Sequence, residues 1–395
     1  MKLRSLTVRD PEYAVHNAAH QIPLVAASSF TFETIQEGME IFGGDKPGHI
    51  YGRFGNPTID AAAGKIAALE AHGTEAEGKA RGLFCSSGMA AIATSLLALC
   101  NKGHIILTHA DLYGGTSNLI DQLGRHGIRR ETVDLRDSEM LEDKLGENPD
   151  ICVIYVETPS NPILRCLDLE YLADLAHHYG AKLIVDNTFC TPIVQQPLAF
   201  GADIVVHSTT KYLNGHGTGI GGAIVCRDPE IFTECIVPTY RLFGGNGNPW
   251  DAWLVLNGLK TLHLRMREHS ANAGKVARYL ARHPRVGTVH YPGLDAHPDC
   301  ECVTKQMKLH GGILSFDLKG GTEAAHRFMN DLEFITLTPT LGDVDSLVLH
   351  PATMSHRGVD PEVRQQLGIT DGLVRLSVGI EDVDDILMDL DRALG

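Results

Sequence analysis

Nine cysteines are present but no C-x-x-C pair, tryptophan occurs twice in 395 residues, and aromatic residues make up only 6%. Positive charge is scarce as well: 34 Lys and Arg face 49 Asp and Glu, a formal charge of −15. Repeats, low-complexity linkers and long apolar runs are missing. An odd number of scattered cysteines fits free thiols in a reducing compartment, the cytoplasm by default. The acidic balance argues against a nucleic-acid backbone or an anionic membrane as the main partner, while leaving room for a local basic pocket. The longest largely apolar stretch, 89–100, is interrupted by Thr94 and Ser95 and spans about 12 residues, well below the ~18 of a membrane-crossing helix. The start, Met1-Lys2-Leu3-Arg4-Ser5, lacks the apolar core of a signal peptide.

What is there reads as a soluble globular protein. Hydrophobic residues make up 43% and charged residues 21%. Residues 1–50 look irregular and are expected to form an N-terminal arm contributing to an oligomer interface. From 51 to 250, short apolar runs at 82–85, 104–108, 130–133, 151–157, 182–186, 203–207 and 223–226 alternate with helical stretches such as 89–99 and 169–178. Strands alternating with helices predict an α/β domain with a mostly parallel sheet. Near-continuous Val and Ile runs predict helices on both faces. From 251 to 395 the pattern changes. A long helical stretch over 250–282, with an interruption allowed for, precedes strands at 286–290, 312–317 and 374–378 and helices at 322–331 and 382–394, which predicts a smaller C-terminal α+β domain.

In an open parallel sheet, ligands bind beyond the carboxyl ends of the strands. Three consecutive strands end in Glu157-Thr158-Pro159-Ser160-Asn161-Pro162, Asp186-Asn187-Thr188 and Ser208-Thr209-Thr210-Lys211. Asn161, Asp186 and Lys211 lie 25 residues apart, about one α/β unit each. A fourth element, Cys85-Ser86-Ser87-Gly88-Met89, is a strand, a Ser/Gly turn and a helix start. Free N–H groups and the helix dipole favour a phosphate there. Ser208 and Thr210 add hydroxyl donors. A lysine, a carboxylate and a phosphate cradle on one sheet edge point to pyridoxal phosphate, whose carbonyl takes a lysine and whose pyridine nitrogen takes a carboxylate partner. Taken singly, Lys211 reads as a solvated lysine, Asp186 as a helix cap and Ser87-Gly88 as a turn.

Further stretches extend the pattern: Tyr51-Gly52-Arg53-Phe54-Gly55-Asn56-Pro57-Thr58, Asp111-Leu112-Tyr113-Gly114-Gly115-Thr116 and Arg375-Leu376-Ser377-Val378-Gly379. With the strand-end motifs they resemble, over nearly the whole chain, the pyridoxal-phosphate enzymes of cysteine and methionine metabolism, the trans-sulfuration family. The resemblance implies the type I pyridoxal-phosphate transferase fold and a role for each matching position. Lys211 resembles the Schiff-base lysine and proton shuttle, and Asp186 the partner of the pyridine nitrogen. Gly88, Met89, Ser208 and Thr210 resemble phosphate binders. Tyr113 resembles the tyrosine that stacks on the cofactor and assists proton transfer to the leaving group. Asn161 and Thr188 resemble cofactor-positioning residues. Arg375 resembles the arginine that holds the substrate carboxylate, with Thr340 beside the substrate. Tyr51 and Arg53 resemble the pair that reaches the phosphate of a neighbouring subunit, which implies a homotetramer built from dimers with shared sites.

Within the family, Leu341-Gly342-Asp343 and His350-Pro351-Ala352-Thr353-Met354-Ser355-His356 resemble the methionine γ-lyases. The expected reaction is therefore γ-elimination of L-methionine or a related sulfur amino acid to a 2-oxo acid, ammonia and a thiol. Many of those lyases carry a cysteine two places after the tyrosine, where this chain has Gly115. The stretches 114–118 and 215–222 look more like the O-acetylhomoserine sulfhydrylases, so γ-replacement, as in those enzymes or cystathionine γ-synthase, is the alternative. The segment 238–249 is left as a channel lining or a loop. Gly217-x-Gly219-x-x-Gly222 fits a dinucleotide pattern but leads into a strand, which excludes that reading. Cys300, Cys302, His297 and His310 fit no zinc spacing.

Overall fold

Residues 1–9 and 19–395 are described in the structure, a computed structural model. Positions 10–18 of the expected N-terminal arm lie outside the described residues. Seven strands form the first sheet: β1 (Arg81–Cys85), β2 (Ile105–Thr108), β3 (Arg129–Thr132), β4 (Ile151–Glu157), β5 (Lys182–Asp186), β6 (Ile204–Ser208) and β7 (Gly222–Cys226). Their order is β1-β7-β6-β5-β4-β2-β3, and only β7 runs against the others. The mostly parallel sheet is thus as expected, strand by strand.

The apolar runs have a two-sided cause. Ile154, Val156, Leu183, Val185 and Val205 face one side, packed in one cluster with Ile59 and Ile66 of the helix Pro57–Ala71. Their neighbours Val153, Tyr155, Ile184, Ile204 and Val206 face the other, packed with Ala91, Ile92 and Leu96 of the helix Gly88–Leu99. Each such side chain contributes about 1.5–3 kcal/mol on burial. Because both faces are covered, only the strand ends can carry polar groups to solvent or ligand.

Five strands form the second sheet: β8 (Val286–His290), β9 (Ile313–Leu318), β10 (Thr336–Leu337), β11 (Leu347–Leu349) and β12 (Leu373–Ser377), in the order β10-β11-β12-β9-β8. Its apolar face packs on the helices Leu262–Leu280, Gly321–Asp331 and Val383–Leu394 through Val276, Phe328, Ile386 and Leu390. Phe316 meets Phe328 edge-on at 5.7 Å between centroids.

The interruption allowed for in the stretch 250–282 is present: it is two helices, Pro249–Leu259 and Leu262–Leu280, and across the break the Arg265 guanidinium donates at 2.8 Å to Gly258 O, a carbonyl that also accepts from Thr261 N. Two expectations need correction. The start of the chain is not wholly irregular. Ile35–Gly43 is a helix, capped by Thr34, whose Oγ1 accepts from Glu37 N, while Glu37 Oε2 accepts from Glu33 N. Thr34-Ile35-Gln36-Glu37 is a capping-box signature. Finally, 238–249 is not a plain loop. Val237–Phe243 is helical, and the following run joins the free edge of β1, with Ser86 N donating to Gly245 O and Gly247 N to Phe84 O.

Candidate active site

At the carboxyl end of the first sheet lies a cavity of about 270 Å³. Lys211, Asp186, Asn161, Arg375, Tyr113 and Thr188 line it, together with Gly88, Met89, Ser208 and Thr210. The strand ends thus converge as their spacing predicts. Thr340 does not line the cavity, but its Oγ1 accepts from Lys211 Nζ at 2.8 Å. Tyr51 and Arg53 are not brought to it. Arg53 instead donates to Arg241 O at 2.6 Å and stacks 4.6 Å from the Phe54 ring.

The cradle comes from the turn between β1 and the helix Gly88–Leu99. Ser87 caps that helix: its Oγ accepts from Ala90 N at 3.0 Å, and its carbonyl from Ala91 N at 3.1 Å. The N–H groups of Gly88 and Met89 have no intrahelical acceptor and belong to the cavity wall. Glycine is required at 88, because a Cβ there would come within 2.8 Å of Ser208 Cβ. Ser208 N donates to Thr188 Oγ1 at 2.8 Å, which ties the end of β6 to that of β5. Thr210 Oγ1 accepts from Gly221 N at 3.1 Å and holds the lysine turn against the entry to β7.

Burial pushes the Asp186 carboxyl up, against hydrogen bonds from Thr188 N at 3.0 Å and Tyr155 OH at 3.4 Å. Glu157 is its direct partner across β4 and β5. Burial, and then the charge of Asp186, drive Glu157 well above the ordinary carboxylate range. Glu157 is therefore the member of this pair more inclined to hold a proton. Its Oε2 accepts from Tyr113 N at 2.8 Å, while Oε1 is buried without a partner. Glu157 N donates to His109 Nε2 at 3.1 Å, which leaves His109 Nδ1 as the donor to Asp111 Oδ1 at 2.6 Å. This chain of bonds fixes the loop that presents Tyr113, itself 46% exposed.

Arg375 on β12 is buried at 3% exposure. It donates to Asn161 Oδ1 and to Thr340 O, each at 3.1 Å, and not to Glu381, which accepts from Ser346. Burial lowers its guanidinium to about 10, and burial followed by the Arg375 charge lowers the Lys211 amine to about 8. Of the side chains set aside in the sequence, His297 engages both ring nitrogens with backbone groups, Leu164 O and Asp299 N. Glu157 and Tyr155 were missed as site residues. The register of β4 against β5 is the signal that exposes them, and it is long-range.

These residues fit pyridoxal phosphate. A phosphate matches the cradle that a Cβ at 88 would fill, the weakly engaged Asp186 Oδ2 faces a ring nitrogen's requirement, and Lys211 is a half-buried, partly neutral amine. The model of the Cys/Met metabolism PLP-dependent enzymes matches residues 6–395. The chain belongs to this family. The family is pyridoxal-phosphate dependent, so the protein is an enzyme that takes this cofactor. An L-methionine gamma-lyase of Pseudomonas putida is 42% identical over 96% of this chain and 93% of its own length. The O-succinylhomoserine sulfhydrylase of Pseudomonas aeruginosa is 39% identical over 99% of this chain and 94% of its own. Among solved structures, a putative O-acetylhomoserine (thiol)-lyase from Campylobacter jejuni, holding a pyridoxyl-lysine monophosphate group, superposes with a TM-score of 0.93 at 30% identity, covering all of both chains. The fold is that of the family's trans-sulfuration enzymes.

Proposed function

We propose that this enzyme is a carbon–sulfur lyase that carries out γ-elimination on L-methionine or a related sulfur amino acid, giving a 2-oxo acid, ammonia and a thiol. What supports this reading is one cavity holding a partly neutral Lys211, a buried Arg375 fork and an exposed Tyr113, in a chain similar throughout to methionine γ-lyases. Pyridoxal phosphate, when bound, takes up the electron pair released at the substrate α-carbon. Gly88, Met89, Ser208 and Thr210 would hold its phosphate, Asp186 its ring nitrogen, and Asn161 and Thr188 its orientation. Arg375 grips the substrate carboxylate through a guanidinium fork. Lys211 Nζ removes the α-proton and then a β-proton, while Thr340 Oγ1 fixes where that amine sits. Tyr113 Oη supplies the proton that leaves with the sulfur.

One observation favours γ-replacement as the second reading. A Cβ at Gly115 would lie 2.5 Å from the Tyr113 ring, so the space that a cysteine would take there is filled by the tyrosine. Cofactor-loaded protein assayed on L-methionine alone, and on O-acetyl-L-homoserine plus sulfide, separates the two. Oxobutyrate from methionine is the expected result. Homocysteine from the acylated substrate alone would make the enzyme a sulfhydrylase.

Arg375→Ala should raise KM for the amino acid by roughly 10- to 150-fold, the equivalent of a charge-assisted hydrogen-bonded pair at about 1.5–3 kcal/mol. Arg375→Lys restores the charge without the fork and should recover only part of the loss. An unchanged KM in the alanine variant would remove Arg375 from carboxylate binding.

The reading extends to self-assembly. Tyr51 and Arg53 lie outside this chain's cavity, and Arg53 bonds the carbonyl of Arg241, which precedes the exposed Leu242 and Phe243 in sequence. Ile35, Met39 and Phe42 are exposed on one helix. Apolar residues grouped in this way suit burial against a second copy, with Tyr51 and Arg53 serving that copy's phosphate in a homotetramer. Mixed Arg53→Ala and Lys211→Ala protomers should regain activity, since hybrid dimers would hold one intact site. Confirmed hybrids without regained activity would refute sharing. Among the described residues no helix is long and apolar enough to cross a membrane, and the nine cysteines are free, which suits the cytoplasm.

A further inference from the structure

Two cysteines far along the chain from one another meet at the end of the sheet away from the cavity. Cys100 follows the last turn of the helix Gly88–Leu99, buried at 5% exposure, with its N–H bonded to Leu96 O. Cys152 lies in β4 where the register with β2 shifts: Ile105 pairs with Ile151, and Ile106 with Val153. Cys152 is the extra residue, and a bulge of this kind redirects a side chain. Its Sγ lies 3.4 Å from Cys100 Sγ, and Cys152 is half-buried where Cys100 is buried. The two thiols share a hydrogen bond, Cys152 Sγ also lies 3.8 Å from Ile105 O, and the His104 ring lies nearby; the Cys100 contact and the ring pull the Cys152 thiol below its ordinary range against burial. The same contact, and burial, push Cys100 up. One thiol is thus accessible and inclined to ionise, and the other is a protected neighbour within reach.

We propose that Cys100 and Cys152 form a reversible oxidation site for hydroperoxides, with Cys152 as the attacking thiol and Cys100 as the resolving one. The Cys152 thiolate attacks one peroxide oxygen. The O–O bond breaks, leaving a sulfenic acid on Cys152 and releasing water or an alcohol. The Cys100 sulfur then attacks the sulfenic sulfur, the S–O bond breaks, the hydroxyl leaves as water with the Cys100 proton, and the disulfide forms. Two electrons and two protons pass from the dithiol to the peroxide. Bond formation at about 2.0 Å requires the sulfurs to close by about 1.4 Å. The movement falls on a helix end and a bulge. The resolving thiol also keeps Cys152 from the irreversible sulfinic state.

The test is titration of the cofactor-loaded full chain with hydrogen peroxide, followed by non-reducing digestion and mass spectrometry. A cross-link between the Cys100 and Cys152 peptides, loss of two titratable thiols per chain and reversal by dithiothreitol are expected. In Cys100→Ala the Cys152 peptide should accumulate sulfinic acid, and in Cys152→Ala the Cys100 thiol should stay reduced. Oxidation confined to the exposed Cys300, or sulfinic acid on Cys152 in the unaltered chain without a cross-link, would overturn the proposal.

Discussion

Lys211→Ala should cut turnover by about 10⁴-fold or more, because proton transfer by a positioned side chain is itself worth up to about 10⁴. The argument rests on how this amine is held. An ordinary lysine, at about 10.4, is neutral in fewer than about one molecule in a thousand at pH 7. Burial, and then the Arg375 charge, bring Lys211 to about 8, with Asp343 pulling the other way. At that value roughly one molecule in ten is neutral at pH 7. A neutral amine can both add to the cofactor's carbonyl and accept a proton. Thr340 Oγ1, 2.8 Å away, limits where the amine points. Loss of the visible cofactor band should accompany loss of turnover, and added small primary amines should restore a fraction of it. Full turnover in the variant would end the assignment. A second reading of the same group comes from pH. Deprotonation must precede addition, so loading of cofactor-free protein should quicken as pH rises and level off above about 8. A rate still climbing at pH 10 would show that the amine keeps its ordinary value.

Much of this site was legible in the sequence for one reason. Strands covered on both faces must be apolar along their length, so polar groups collect where they end, and Asn161, Asp186 and Lys211 stood out against that background. Positions that depend on long-range register did not. Tyr155 sits in a continuous apolar run and reads as core, yet its hydroxyl reaches Asp186. Glu157 stood inside a quoted motif with no role, because its role follows from lying opposite Asp186. Contact between Thr340 and Lys211 needs the C-terminal chain to return over the first sheet. Strands β10 and β11, with two and three residues, are too short for alternation to register. The helix Ile35–Gly43 was a true omission, since its capping box is local.

Asp186→Asn should lower kcat by about 10²–10³, the loss seen when one preorganised electrostatic group is removed, with KM for the amino acid nearly unchanged because Arg375 still grips the carboxylate. Glu157→Gln should cost only a few-fold. These are adjacent partners across β4 and β5, Glu157 buried and Asp186 half-buried at the cavity wall, and the contrast follows from which of them keeps the proton. Two carboxylates this close do not both ionise readily in a low-dielectric site. Asp186 accepts bonds from Thr188 N and Tyr155 OH, which favour its charged form. Glu157 accepts from Tyr113 N, with Thr116 beside it, but burial and the Asp186 charge outweigh these. Glu157 is thus the member more inclined to keep a proton, and an amide of the same shape should change the charge of the pair little. Asp186 is the charged member, and asparagine there keeps the volume but cannot hold a ring nitrogen protonated. Measuring both variants under substrate saturation decides the matter. Equal losses would mean that the pair shares its proton, and a larger loss at Glu157 would reverse the assignment of charge between the two strands.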